Sequence, residues 1–220
     1  MFIKKFNNAR DYQRQKAWLS FYQDRGAVKL LEHDDFKHTL ILEYVSDHSL
    51  KNLFPDEENH SIEIACETIQ SLHQNPIKPS TDFPHLQDWC ACLNQEQDLA
   101  QELLSTTLKE ILLHGDLHHG NILLRGDEAI VIDPKPVIGD PFFEPARFIL
   151  NPIDCILDQR HVKDILENRI LKFETFFGDT THRIRRWTYV CALISARWNI
   201  DDGFSPEKWD TLAELIRNFL

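Results

Sequence analysis

The sequence predicts an α+β fold in which a small strand-rich N-terminal part precedes a mainly helical remainder. Strand-like runs cluster before residue 48, helical periodicity takes over from Ser49, and a single hairpin pattern is set inside the helical stretch.

The elements follow in order. Phe2 to Phe6 reads as a short strand. From about Ala9 to Gln23 a helix is predicted, because Ala17, Trp18, Phe21 and Tyr22 recur at helical spacing, and Gly26 fits its stop. Ala27 to Leu31 and Thr39 to Tyr44 are β-rich runs around the polar turn His33-Asp34-Asp35-Phe36-Lys37. Helical periodicity then covers Ser61 to Leu72, Leu86 to Cys92 and Asp98 to Leu112. The exception lies within Ile111 to Ile132, where Asn121 to Leu124 and Ala129 to Ile132 flank the turn Arg125-Gly126-Asp127-Glu128. The end returns to helices, Asp158 to Phe176, His182 to Trp198 and Pro206 to Phe219, the last with Ser205 as N-cap and Pro206 at the first helical position. Two domains are expected, 1–48 and 49–220.

With 220 residues, 42% hydrophobic and 27% charged, the chain has an ordinary globular composition and a real core to bury. Its formal charge of -11 is spread along the chain, and no dense run of Lys and Arg stands against it, which excludes a phosphate-tracking nucleic-acid groove. Met1 is followed by Phe-Ile-Lys-Lys-Phe, far too short for a signal peptide's apolar region, and no later apolar run approaches the roughly 18 residues of a membrane span. A soluble, unsecreted, cytoplasmic protein with no membrane partner is therefore expected. The five cysteines are an odd number, and Cys90-Ala-Cys92 has neither zinc-ribbon nor redox spacing, so they read as idle thiols in a reducing compartment.

The chemistry concentrates in His114-Gly115-Asp116-Leu117-His118-His119-Gly120-Asn121, followed by Ile130-Val131-Ile132-Asp133-Pro134-Lys135. A loop carrying Asp, then Asn five residues on, then a hairpin ending in a second Asp, gathers two carboxylates and an amide around one spot. Phosphoryl transfer from a metal-bound nucleotide needs such a set, since the protein mainly positions the acceptor and neutralises phosphate charge. Asp116 would accept a hydrogen bond from the acceptor hydroxyl, while Asn121 and Asp133 would give hard oxygen ligands to Mg²⁺. His118 and His119 invite a zinc site, but adjacent histidines point apart and no further ligand stands at finger or protease spacing. His114 reads as a support of the loop. Asp140, in Gly139-Asp140-Pro141, could orient loop or substrate, or cap a helix. Lys135 reads either as part of the site or as a solvent-facing lysine.

Leu113 to His118 with Asn121, then Ile132-Asp133-Pro134-Lys135 and Gly139-Asp140-Pro141, resembles the aminoglycoside phosphotransferase family and in particular its streptomycin 6-kinase and hydroxyurea-resistance branch. The resemblance implies a protein-kinase-like two-lobed fold, with a reduced N-terminal nucleotide-binding β lobe over 1–48 and a mainly helical catalytic lobe over 49–220. It further implies ATP- and Mg²⁺-dependent transfer of phosphate to an alcohol of a small molecule such as an aminoglycoside antibiotic. Asp116 would be the catalytic base, Asn121 and Asp133 the metal ligands, and Glu43-Tyr44-Val45 the hinge whose backbone meets adenine.

The N-terminal part departs from that pattern. Phe2 to Phe6 aligns with the strand that carries the phosphate-binding lysine, so Lys4, or alternatively Lys5, would take that role, while the Gly-rich hairpin of this fold is not found ahead of it. The helical glutamate that pairs with the lysine falls near Gln15, with Asp11 a poorly placed substitute. The strand edge is expected to be open, a seat for a homodimer. These departures leave open a weak or inactive kinase-like binding protein as the alternative. For the acceptor, Trp187, Tyr189, Trp198 and Trp209 could stack on a sugar or sit in the core, and Asp201 and Asp202 could hold a cation or merely end a helix.

Overall fold

The computed structural model describes residues 1–74, 83–93 and 97–220. The chain forms two compact units, the first from residues 1–83 and 112–137, the second from 84–111 and 138–220. It is a mixed α+β fold with small sheets and a mainly helical C-terminal part.

In the first unit, β1 (Phe2–Lys5) leads into α1 (Ala9–Tyr22), capped by the Asn8 side chain, which accepts from Arg10 N–H at 2.8 Å. The helix buries Tyr12, Gln15, Trp18, Leu19 and Tyr22, a stripe at steps of three and four residues. Trp18 stacks on Tyr22 with ring centres 4.3 Å apart. The chain then turns through Gly26, whose φ of +92° suits glycine, into β2 (Leu30–Asp34) and β3 (Thr39–Leu42). The three strands form an antiparallel sheet in the order β1-β3-β2, with Lys4 opposite Leu40.

Strand β2 begins three residues later than the apolar run Ala27 to Leu31 suggests. The reason is a second partner: Ala27 bridges Val131, and Val28 N–H donates to the Val131 carbonyl at 2.9 Å. The first half of that run therefore pairs with the central hairpin, formed by β5 (Ile122–Arg125) and β6 (Glu128–Val131) after β4 (Ile111–Leu113). A helix α2 (Glu58–His73) completes the unit with Ile62, Ala65, Cys66, Ile69 and Leu72 buried.

The second unit contains α3 (Leu86–Cys90) and α4 (Gln97–Ser105), both shorter than the periodicity predicts. Helix α4 stops at Ser105 because Thr106 and Thr107 turn their hydroxyls back onto the carbonyls of Glu102 and Leu103, at 2.7 and 2.9 Å. The apolar run at Ile111 to Leu113, expected as the end of this helix, is the buried strand β4 instead. Strand β7 (Val137–Gly139) leads into a run of helices: α5 (Glu144–Ile149), α6 (Ile153–Leu157), α7 (Val162–Phe177), α8 (Arg183–Asp201) and α9 (Glu207–Arg217). Helix α8 is the spine, packed against α5 and α9, with Trp187 fully buried and Tyr189 nearly so. Both aromatics are core. Among the described residues, no helix is long and apolar enough to cross a membrane.

Candidate active site

The first unit holds the whole passage from His114 to Lys135. Between β4 and β5 the chain runs through Gly115, at φ +77°, and Asp116, which is buried. His114 fixes this loop: its Nδ1 accepts from Asp116 N–H at 3.3 Å, so its Nε2 carries the proton and donates to the Ile132 carbonyl at 2.9 Å. Trp18 of α1 packs against the edge of the same ring, centres 5.2 Å apart. Asn121 Nδ2 donates to the Asp116 carbonyl at 2.8 Å, which leaves Oδ1 as the donor atom for a cation. The Asp116 carboxylate meets Lys135 Nζ at 2.8 Å.

The Asp133 loop is laced to this one by two backbone bonds, Ile132 N–H to the Asn121 carbonyl at 3.0 Å and Lys135 N–H to the His114 carbonyl at 2.8 Å. Asp133 itself sits at φ +58°, a left-handed conformation that Asp adopts more readily than most residues. Its side chain is half-exposed and makes an ion pair with Lys4. Gln15 joins them: its Oε1 accepts from Lys4 Nζ at 3.0 Å and its Nε2 reaches Asp133 Oδ1 at 3.4 Å. The amide thus occupies the position where a glutamate is expected, and it serves both charges at once, accepting from the ammonium and donating to the carboxylate.

Lys4, Gln15 and Asp133 line a cavity of about 330 Å³. Leu19, Val28, Leu42, Val45, Leu123 and Ile132 make much of its lining, an apolar slot, and Ser46 and Asp47 also line it. Glu43 and Val45 both border this slot. The Glu43 side chain is turned to structural work, accepting from Lys29 N–H at 3.1 Å and pairing with Arg125 at 3.1 Å. Tyr44 also lines it, its hydroxyl pKa raised first by a hydrogen bond to Asp47 and then by burial.

The donor set suits magnesium. Asn121 Oδ1 and the Asp133 carboxylate are hard oxygens, and the orientation of Asn121, set by its bond to the Asp116 carbonyl, presents oxygen rather than nitrogen. Magnesium keeps several waters, so two protein ligands suffice. Among the described residues, no group of three His, Cys, Asp or Glu is placed to hold a metal. The two adjacent histidines act separately: His118 Nδ1 accepts from Gly120 N–H at 3.0 Å, while buried His119 lies 3.8 Å from Glu58 and edge-on to Phe54.

The remaining candidates lie in the second unit and serve its structure. Asp140 caps a single 3-10 turn by accepting from Phe142 N–H at 3.0 Å, and its other oxygen takes Arg183, Trp187 Nε1 at 2.9 Å and Thr107 at 3.3 Å. Asp201 pairs with Arg197 one turn earlier on α8 at 3.1 Å. Trp198 packs edge-on against Trp89. Sequence reasoning missed the double role of Gln15. It left Lys135 between the site and solvent, and the structure sets its ammonium against Asp116.

Residues 2–203 match the family described as aminoglycoside/hydroxyurea antibiotic resistance kinase. The chain belongs to this family. Its relatives include the streptomycin 3''-kinase of Klebsiella pneumoniae, 30% identical over 67% of this chain and 60% of the relative. The streptomycin 6-kinase of Streptomyces glaucescens is 26% identical over 84% of this chain and 66% of its own length, and the hydroxyurea phosphotransferase of Kitasatospora aureofaciens is 26% identical over 91% and 62%. The chain therefore spans about three fifths to two thirds of these relatives. Solved structures share the fold: a choline/ethanolamine kinase family protein from Mesorhizobium loti has a TM-score of 0.67 at 12% identity, over 98% of this chain and 81% of that one. A thermostable aminoglycoside phosphotransferase mutant, in a ternary complex with ADP and hygromycin B, has a TM-score of 0.64 at 14% identity, over 99% and 86%. The kinase-like fold that the family implies is thus present in this chain.

Proposed function

We propose that this chain transfers the γ-phosphoryl group of ATP to an alcohol of a small molecule, with Mg²⁺, and that the acceptor is an aminoglycoside of the streptomycin type. The observation that carries the reading is the lacing of the Asp116-Asn121 loop to the Asp133 loop beside an apolar slot that Lys4 and Asp133 line. Adenine lies in the slot against the main chain of Glu43 and Val45, and Lys4 takes the phosphates. In this reading residues 1–48 act as the nucleotide-binding lobe and 49–220 as the catalytic lobe.

Asp116 orients the acceptor hydroxyl and takes its proton. The hydroxyl oxygen forms a bond to the γ-phosphorus as the bond from that phosphorus to the bridging oxygen breaks, its electron pair leaving with ADP. Magnesium, when bound at Asn121 and Asp133, supplies charge neutralisation for the phosphates. His114 holds Asp116 in place through the backbone, so orientation of the base needs no rearrangement of the loop. The streptomycin kinases among the relatives, and the branch-like string around Asp116 and Asp133, support the choice of acceptor.

The test is a screen of aminoglycosides and hydroxylated metabolites for ADP release with Mg²⁺-ATP, beside melting of the protein across an ATP series. Streptomycin is expected to release ADP in stoichiometric proportion to phosphorylated product. ATP at 100 times its dissociation constant is expected to stabilise the fold by about 2.7 kcal/mol. Stabilisation without turnover on any acceptor would favour the binding-only alternative that Gln15 suggests, and no stabilisation at millimolar ATP would overturn the nucleotide reading.

A further inference from the structure

We propose that Lys135 is a catalytic residue that contacts the transferred phosphoryl group, an inference that rests on the phosphotransfer proposed above. Each of the two carboxylates in the passage meets one ammonium: Asp133 pairs with Lys4, and Asp116 with Lys135. The two lysines are held differently. Lys4 is mostly covered and is also gripped by Gln15, whereas the Lys135 side chain is 56% exposed, so a ligand can reach it.

Its root, by contrast, is fixed. Lys135 stands between Pro134 and Pro136, each with a locked φ, and its N–H is bonded to the His114 carbonyl at 2.8 Å. The backbone therefore delivers this lysine to the catalytic loop, and only the tip of its side chain has freedom. A solvent-facing lysine with no role would need neither the prolines nor the bond.

The chemistry calls for a cation at this point. As the acceptor oxygen bonds to phosphorus, the anionic phosphoryl oxygens come up against the Asp116 carboxylate, and like charges at that range repel. An ammonium has three protons to donate, so it can keep one on the Asp116 carboxylate and turn another to a phosphoryl oxygen. Lys135 then binds the γ-phosphate and offsets its repulsion by the base. It plays no part in holding ADP, which lacks the group it touches.

The experiment compares the wild type with Lys135→Met and Lys135→Arg, measuring calorimetric affinities for Mg²⁺-ATP and Mg²⁺-ADP together with turnover on the acceptor that the screen yields. The wild type is expected to prefer ATP over ADP by roughly tenfold, the size of one charge-assisted hydrogen bond. Lys135→Met should erase that preference with ADP affinity and melting temperature unchanged, and should lower kcat by about 10² or more. Lys135→Arg should restore part of both. A Met variant that keeps the wild-type ATP-to-ADP ratio overturns the inference, as does one that loses ADP affinity or thermal stability, since either makes Lys135 structural. If the wild type binds nucleotide and turns over while the Met variant matches it, only this inference falls. If the wild type binds neither nucleotide, the phosphotransfer reading falls and takes the inference with it.

Discussion

Gly115-Asp116 in the first unit and Gly139-Asp140 in the second are the same dipeptide, each with its aspartate buried, and they do opposite things. Every recorded partner of Asp140 is built into the fold: a backbone N–H, an indole, a threonine hydroxyl and the Arg183 guanidinium, which also grips the Leu103 carbonyl at 2.7 Å. The Asp116 carboxylate instead meets the ammonium of Lys135, a side chain more than half exposed. A carboxylate surrounded by fixed donors is committed to stability. One that faces a more exposed cation can exchange it for a substrate, and under the proposed function that difference in the partner, rather than depth of burial, separates the two residues.

The sharpest way to break the comparison is to remove charge from Asp116 without changing its shape. Asp116→Asn is expected to lower kcat by about 10² to 10⁴ while the melting temperature stays within a degree or two. Near-normal turnover would take Asp116 out of the mechanism. The mirror-image change is Asp140→Ala, which takes the carboxylate partner from mostly buried Arg183 and from the buried Trp187 N–H. It should cost about 3–5 kcal/mol of stability, on the order of 10 °C in Tm for a chain of this size, as read by calorimetry. A variant that melts like the wild type would mean that the network around Asp140 is not a structural centre.

A third, smaller contrast is internal to the first unit. Asp133 is half-exposed and pairs with Lys4, so Asp133→Ala should abolish Mg²⁺-dependent nucleotide affinity in titration calorimetry and hardly move the apo Tm. Unchanged Mg²⁺-ATP affinity would remove Asp133 from the metal site. The smallest effect concerns Tyr12, a fully buried phenol that donates to Asp35 at 2.7 Å. Burial, then the bond to Asp35, raises its pKa well above the ordinary 10.0. The folded state keeps the proton that the unfolded state loses, so stability is expected to fall as the pH rises past 10. Tyr12→Phe should flatten that decline in denaturant titrations at pH 9 and 11, and an unaltered slope would show that the phenol ionises alike in both states.

What could be read from the sequence was whatever depends on spacing along the chain. Asp116, Asn121 and Asp133 came together because a loop and a hairpin of fixed length leave few places for them, and the helix over Ala9 to Gln23 was legible from its apolar stripe. What could not be read depends on partners distant in sequence. The Ala27 to Leu31 run looks like one strand, yet its pairing is divided between the hairpin and β3. Three apolar residues at Ile111 fit helix and strand equally well, and only burial in β4 decides between them. Gln15 looks like a lost glutamate until both ends of its amide are seen in use. Asp140 carried two readings, because Arg183 and Trp187 are more than 40 residues away.

The two glycines of these dipeptides are needed for different reasons as well. Gly115 supplies a left-handed turn, whereas at Gly139 the constraint is space: an added Cβ would lie 2.3 Å from Leu86 Cδ1 and 2.4 Å from its Cγ. Positions 86 and 139 are therefore one site as far as drift is concerned, although 52 residues of chain divide them. A methyl group can enter at 139 only in a background where residue 86 has already become smaller, and the reverse order passes through an overpacked intermediate. A chimera that joins a β7 with a side chain at 139 to an α3 that keeps Leu86 would inherit the clash.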